Sequence, residues 1–299
     1  MRILFCSDPL DRNQVDFDYK KEYLVAQNMG IKTELIALEN LLYFDDSKKS
    51  IHKVSISEEP EKAIYRGWML TPNYYKMLYN ALTKKNIYLV NTPEEYKHCH
   101  YLPESYSVIR DKTPKTTWIL KEDIDENFNK IFDKVQTFGN NPIIIKDFVK
   151  SRKHDWVEAC FIPKASDKEN VEKTVKKFIE LQGSELNEGI VFREFLNLEF
   201  LTKHHQSQMP LSKEFRVFFL NGKPISMLHY WDEGDYGKIL PNLDSLLEIA
   251  QDIKSNFFTM DIAKVENGEW VIIELGDGQV SGLPDNADLG EFYLNIKND

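Results

Sequence analysis

The chain has 299 residues, 42% of them hydrophobic and 12% aromatic, with a formal net charge of −10 at pH 7. That size and apolar share suit one large or two medium domains with a sizeable core, and the acidic balance repels nucleic acid and anionic membrane. The three scattered cysteines (Cys6, Cys99, Cys160) lack metal-type spacing and no apolar run approaches the ~20 residues of a membrane span, so the expectation is a cytoplasmic protein with reduced thiols.

From the N-terminus, Arg2 to Cys6 is a short apolar run that reads as a buried strand. Lys20 to Met29 follows a helix pattern closed by Gly30. Lys32 to Ala37 and Ala63 to Gly67 read as strands. Thr71 to Thr83 is a helix with Pro72 in its first turn, and Ile87 to Val90 a further strand. This alternation predicts a small α/β layer domain. Pro93 to Tyr101 and Pro103 to Ile109 read as helices, and Lys115 to Leu120 as a strand. Asp125 to Phe138 is an amphipathic helix with Phe128, Ile131, Phe132 and Val135 on one face. Pro142 to Lys146 is a strand, Lys168 to Gln182 a helix and Gly189 to Phe195 a strand. Glu214 to Leu220 and Pro224 to His229 form a hairpin around Asn221-Gly222, followed by a helix from Leu243 to Lys254. A last hairpin joins Phe257 to Ala263 with Glu269 to Leu275 through Glu266-Asn267-Gly268. Mixed hairpins and helices make this second region α+β.

The last hairpin carries an acid on each arm, Asp261 and Glu274. Two carboxylates side by side among apolar residues are costly unless a cation lies between them. Oxygen-only ligands suit Mg²⁺ or Mn²⁺, whose coordination is usually completed by water and nucleotide phosphates. The pair therefore points to ATP. Lys146 ends a buried strand and either reaches solvent or holds a phosphate as a point charge. The basic stretch Lys150 to Trp156 is either an exposed loop or a flap over phosphates. The Arg193-Glu194 pair interrupts an apolar strand. It is either a structural pair or the start of an adenine-reading segment, with Glu199 placed for ribose hydroxyls. Glu214 and Arg216 share a strand face, which suits either a cross-strand ion pair or an arginine aimed at a triphosphate.

In their order these features resemble the ATP-grasp superfamily, closest to its clade typed by two arginines and a lysine, matched here by Arg193, Arg216 and Lys146. The resemblance covers Pro142 to Lys146, Val191 to Glu199, Glu214 to Pro224 and Phe258 to Pro284, with Ala63 to Leu70 and Asn91 to Tyr106 similar to the clade's N-terminal region. It implies an ATP-grasp domain over residues 104–299, in two α+β subdomains at roughly 104–192 and 193–299. A small N-terminal α/β pre-ATP-grasp domain would occupy residues 1–103. It further implies that Lys146 contacts phosphates and that Glu194, Phe195 and Leu196 form the adenine hinge. Glu199 would bind ribose, Arg216 would meet the γ-phosphate, and Asp261 and Glu274 would hold Mg²⁺. Two features depart from the family. Gly276 stands where an asparagine is usual two residues after the metal glutamate, so Asp277 is the expected replacement ligand. No lysine convincingly fills the family's earlier position near Lys97, His98 and His100.

The expected function is an ATP-dependent carboxylate–amine ligase working through an acylphosphate and releasing ADP and phosphate. The alternatives are an ATP-binding regulatory or polyvalent protein with weak or no ligase activity, or a ligase that modifies a protein or RNA. The expected partners are small-molecule carboxylates and amines, with the oligomeric state (monomer or homodimer) open. Arg66, at the end of an N-terminal strand, is placed either to hold a substrate carboxylate or to serve structurally. Gln279 and Ser281, in the glycine-rich loop Gly278 to Pro284, either line the acceptor pocket or form a plain turn. His204-His205 could suggest a metal, but neighbours on a strand point opposite ways, so the pair reads as surface-loop residues.

Overall fold

These patterns resolve into three four-stranded sheets and one short hairpin in the computed structural model, which describes residues 1–205, 210–238 and 240–298. Strands β1 (Arg2–Cys6), β2 (Lys32–Ile36), β3 (Glu61–Arg66) and β4 (Ile87–Leu89) form a parallel sheet in the order β2-β1-β3-β4. β1 is buried throughout because both of its faces are covered. Leu4 and Cys6 pack with Tyr75 and Leu78 of the helix Pro72–Thr83. Ile3 and Phe5 pack with Ala26 and with Phe292 of a C-terminal helix, Leu289–Asn298. Thr71 caps the helix Pro72–Thr83, and a full capping box from Thr92 to Glu95 starts the helix Pro93–His100.

The second sheet takes β5 (Thr116–Leu120), β6 (Ile143–Asp147), β7 (Phe161–Ile162) and β8 (Gly189–Glu194) in the antiparallel order β5-β8-β6-β7. The helix Lys168–Gln182, capped by Asp167, packs Val171, Val175 and Phe178 into its core. β9 (Phe200–Lys203) and β10 (Pro210–Ser212) form the short hairpin. The third sheet takes β11 (Glu214–Leu220), β12 (Lys223–His229), β13 (Phe257–Lys264) and β14 (Trp270–Asp277) in the antiparallel order β12-β11-β13-β14. Asn221 and Gly222 turn β11 into β12 with φ of 48° and 73°, the left-handed pair that a two-residue hairpin requires.

The sheets share cores. Val191 of the second and Phe148, just past β6, pack with Phe219 and Phe258 of the third. Phe218 and Phe257, on the other face of the third, pack with Ile3, Phe5 and Phe292. Residues 192 and 193 lie inside β8, and Arg193 and Glu194 still pair with Ile144 and Ile143, so the second sheet runs on through Glu194. The helix Leu102–Ile109 likewise spans residues 103 and 104.

The helix expected from Asp125 begins four residues later and covers Asn129–Val135. The Asp125 carboxylate takes the N–H groups of Asn129 and Lys130, and Phe128 adopts a φ of 56°, so the polar start is a turn rather than a helical turn. The basic stretch after β6 is folded into short turns. Asp147 accepts the N–H of Val149 at 2.6 Å and of Lys150 at 2.5 Å, Arg152 pairs with Asp155, and Trp156–Cys160 forms a π-helical turn. No helix among the described residues is long and apolar enough to cross a membrane.

Candidate active site

Register on the third sheet assembles the charges. Arg216 on β11 lies opposite Asp261 on β13, and Asp261 lies opposite Glu274 on β14. Paired residues of adjacent strands share a face, so three side chains stand in one row. Arg216 grips both carboxylate oxygens of Asp261 at 2.8 Å, donates to the Gly282 carbonyl at 2.9 Å, and lies 4.8 Å from the Tyr230 ring centroid. Burial disfavours the Arg216 charge, but the Asp261 carboxylate outweighs it and the guanidinium stays firmly protonated. From the second sheet, Lys146 crosses to Glu274 and completes a second ion pair. Asp261 and Lys146 are almost fully buried, at 5% and 7% side-chain exposure, whereas Glu274 is 37% exposed, so the row opens to solvent at Glu274.

A β-bulge at Ile273 comes just before Glu274 on β14, between the Asp261–Glu274 and Ile262–Ile272 pairs. Arg193, from β8, fastens this irregular stretch. It donates to the carbonyls of Ile272 and Ile273 and to the Thr113 hydroxyl, while Thr113 in turn donates to Ile272. Burial pulls the Arg193 guanidinium down to about 10, partly offset by the Glu274 charge. Arg193 is thus a clamp between two sheets. Arg193 also borders a cavity of about 330 Å³ walled by Trp156, Phe161, Glu194, Phe195, Leu196, Leu211 and Trp231.

Several expected residues fall elsewhere. Glu194 lines the cavity and accepts from Asn141 at 3.0 Å. Glu199 does not line it and is instead held by Lys213 at 2.7 Å and Lys264 at 2.8 Å. Asp277 stands apart from the row. Three residues past Glu274 on a regular strand, it faces the other side of the sheet. There it is fully buried and accepts from Asn91 at 2.6 Å and from the Gln279 backbone at 2.9 Å. Burial pushes its carboxyl up to about 7 against these donors. Gly276, in contrast, shares the face of Glu274. A Cβ there would lie 2.7 Å from the Thr259 hydroxyl and 2.8 Å from that of Ser281, so these two hydroxyls fill the space a larger side chain would use.

Arg66 sits in a network of its own. It is completely buried, gripped by Glu22 at 2.9 Å through two nitrogens, and donates to the carbonyls of Gly278 and Ser281 at 2.8 and 2.9 Å. Tyr293 donates to the same Glu22 carboxylate, which ties the C-terminal helix into the network. Gln279 is also fully buried, donating to the Tyr75 hydroxyl at 2.7 Å and accepting from the Tyr65 N–H at 3.2 Å. Neither residue lines the cavity beside Arg193. Ser281 is half-buried and shares a hydrogen bond of 2.9 Å with Thr259, beside Gly276. Sequence reasoning missed Glu22, Asn91 and Thr113, whose partners lie 44 to 186 residues away and leave no local signal. It also missed Trp156, read as part of a polar loop, although the ring stacks on Phe161 at 5.4 Å and walls the cavity.

Residues 137–296 match the family described as "ATP-grasp domain, R2K clade family 3". The chain belongs to the ATP-grasp superfamily. Its solved neighbours agree in fold. The RimK domain ATP-grasp protein from Sphaerobacter thermophilus superposes with a TM-score of 0.60 at 13% identity, over 99% of each chain. The ATP-grasp ligase PsnB, solved with a minimal precursor, Mg and ADP, gives 0.56 at 12% identity, over 99% of this chain and 97% of its own. D-cycloserine synthetase DcsG gives 0.56 at 9% identity, over 100% of this chain and 99% of its own. No curated protein matches the sequence. The chain carries the ATP-grasp ligase fold, and within that fold the row of Arg216, Asp261 and Glu274, met by Lys146, occupies the junction of the second and third sheets.

Proposed function

We propose that this ATP-grasp protein is an ATP-dependent carboxylate–amine ligase. The observation that carries the reading is the convergence of Lys146 and Arg216 on Glu274 and Asp261, at a sheet junction that also holds the apolar cavity beside Arg193. Residues 1–103 would be the pre-ATP-grasp domain and residues 104–299 the ATP-grasp domain. The two carboxylates fit a divalent metal by their chemistry. Both are oxygen donors, they sit side by side, and each already draws a cationic side chain to itself. Asp261 and Glu274 would hold Mg²⁺, which when bound offsets the charge on the transferring phosphoryl group.

The adenine ring would lie against Glu194 to Leu196, among the aromatic rings of Trp156, Phe161 and Phe195. Lys146 and Arg216 would exchange their carboxylates for phosphate oxygens, so the same four charges serve with and without nucleotide. A substrate carboxylate oxygen attacks the γ-phosphorus and ADP leaves. An amine then attacks the acyl carbon and phosphate departs, carrying the mixed-anhydride oxygen with it. Positioning and charge neutralisation supply the rate, and no protein nucleophile is needed. The buried thiols of Cys6, Cys99 and Cys160 are consistent with that.

A peptide as one of the two substrates is a second reading, supported by the precursor peptide PsnA2 bound to PsnB in another of its structures. The test is thermal unfolding with ATP, ADP or AMP, each with Mg²⁺ or EDTA, followed by a screen of carboxylate, amine and peptide pools for ADP release. A ligand at 100-fold its dissociation constant adds about 2.7 kcal/mol. A Mg²⁺-dependent shift with ATP and ADP and pool-dependent ADP release are expected. No shift with any nucleotide would remove the basis of the proposal.

A further inference from the structure

The backbone leaves the extended conformation after Lys203, so His204 and His205 do not alternate as strand neighbours would. Their rings stack with centroids 4.9 Å apart and planes 29° from parallel. Both turn toward one carboxylate oxygen. Glu233 Oε1 lies 2.9 Å from His205 Nδ1 and 3.7 Å from His204 Nε2. All three ligand atoms fall within 4.8 Å of one another.

An ordinary surface ion pair needs one imidazole, and a second protonated ring stacked on the first would repel it. Two neutral imidazoles and a carboxylate are, in contrast, a common metal donor set. Tetrahedral zinc with bonds near 2.0–2.1 Å separates its donors by about 3.4 Å. The two imidazole-to-carboxylate distances, 2.9 and 3.7 Å, bracket that value. Nitrogen-rich donors favour zinc and its transition-metal neighbours over Mg²⁺ or Ca²⁺. His204 and Glu233 are about three-quarters covered while His205 is 66% exposed, so the cluster is seated on the protein yet open on one side.

We propose that His204, His205 and Glu233 form a binding site for a divalent transition-metal ion, zinc by preference, with one coordination position left to water. The site is distinct from the all-oxygen pair Asp261 and Glu274. It would clip the end of β9 to the loop after β12. Lys203 pairs with Pro210, and Pro210 and Trp231 both wall the cavity, so the clip joins two edges of that wall.

The test is zinc binding by equilibrium dialysis on the full chain without an affinity tag and without nucleotide. It compares the wild type with His204→Ala, Glu233→Gln and Asp261→Asn. One equivalent is expected in the wild type and in Asp261→Asn, not displaced by excess Mg²⁺. In His204→Ala and Glu233→Gln the affinity should fall more than about tenfold, since even outer-shell changes cost that much. These positions are partly exposed, so metal-free melting temperatures should match the wild type. Cobalt(II) should give tetrahedral visible absorption in the wild type and lose it in the same two variants. The proposal is overturned if the wild type binds no zinc. It is equally overturned if both cluster variants keep wild-type affinity, or if Asp261→Asn alone releases the ion.

Discussion

Lys146 and Glu274 form an ion pair between two different sheets, and Glu274 is at the same time the cross-strand neighbour of Asp261. One lysine therefore joins the second sheet to the acidic row of the third. The pair is buried at its lysine end and open at its carboxylate end, which leaves Glu274 accessible to a ligand entering from solvent.

Removing either acid should abolish turnover while sparing the fold. Asp261→Asn and Glu274→Gln keep side-chain volume, so circular dichroism should be unchanged. ADP release should drop at least ~100-fold, the several kcal/mol that metal-assisted charge stabilisation supplies. A coupled ADP assay checks this, and wild-type-like rates in both variants would contradict the proposed metal role.

Arg216→Ala should expose the cost of an unpaired carboxylate. Asp261 is 5% exposed and its guanidinium partner would be gone. Breaking a buried pair costs about 3–5 kcal/mol. Denaturant unfolding without metal should show a loss on this order, and added Mg²⁺ should restore more stability to the variant than to the wild type. Equal Mg²⁺ shifts in both proteins would refute the link between Arg216 and the metal-holding carboxylate.

Arg66 offers a test of its structural reassignment. With Arg66→Ala, Glu22 loses its bidentate partner and the carbonyls of Gly278 and Ser281 lose a donor, all in buried surroundings. Unfolding free energy should fall by about 3–5 kcal/mol, and Arg66→Lys should recover little because an ammonium cannot reproduce the fork. A variant as stable as the wild type but with a raised KM for the carboxylate substrate would instead return Arg66 to substrate binding.

Asp277 predicts a pH dependence of stability. Its folded carboxyl is raised by burial from 3.8 to about 7. A raised acid favours the folded state when protonated, so its contribution is complete below the unfolded value and is lost as pH rises through about 7. The full change is on the order of 4 kcal/mol at about 1.36 kcal/mol per tenfold. Asp277→Asn cannot ionise, so its melting temperature should gain on that of the wild type between pH 5 and pH 8. Parallel profiles would show that the N–H donors of Asn91 and Gln279 keep Asp277 ionised throughout.

Much of the fold was legible because its signals are local. Apolar runs marked β1, β6, β8 and the strands of the third sheet, and Pro72 in a first turn marked the helix Pro72–Thr83. The C-terminal helix Leu289–Asn298 was missed. Its ten residues carry a short apolar stripe whose meaning lies in Phe292 and Ile296 packing on β1 and β11, far away in sequence.

The same division runs through the candidate site. Sequence by itself determined which acids, lysine and arginines are available and that Asp261 and Glu274 lie on the arms of one hairpin, because turn chemistry and strand alternation act over a few residues. Only the tertiary structure decided which of them meet. Strand register set Arg216, Asp261 and Glu274 in one row and turned Asp277 to the opposite face, while the approach of a second sheet brought Lys146 to Glu274 and turned Arg193 into a clamp on the β14 bulge. Burial then committed Arg66 to Glu22, since a charge sealed inside a protein must find its partner there.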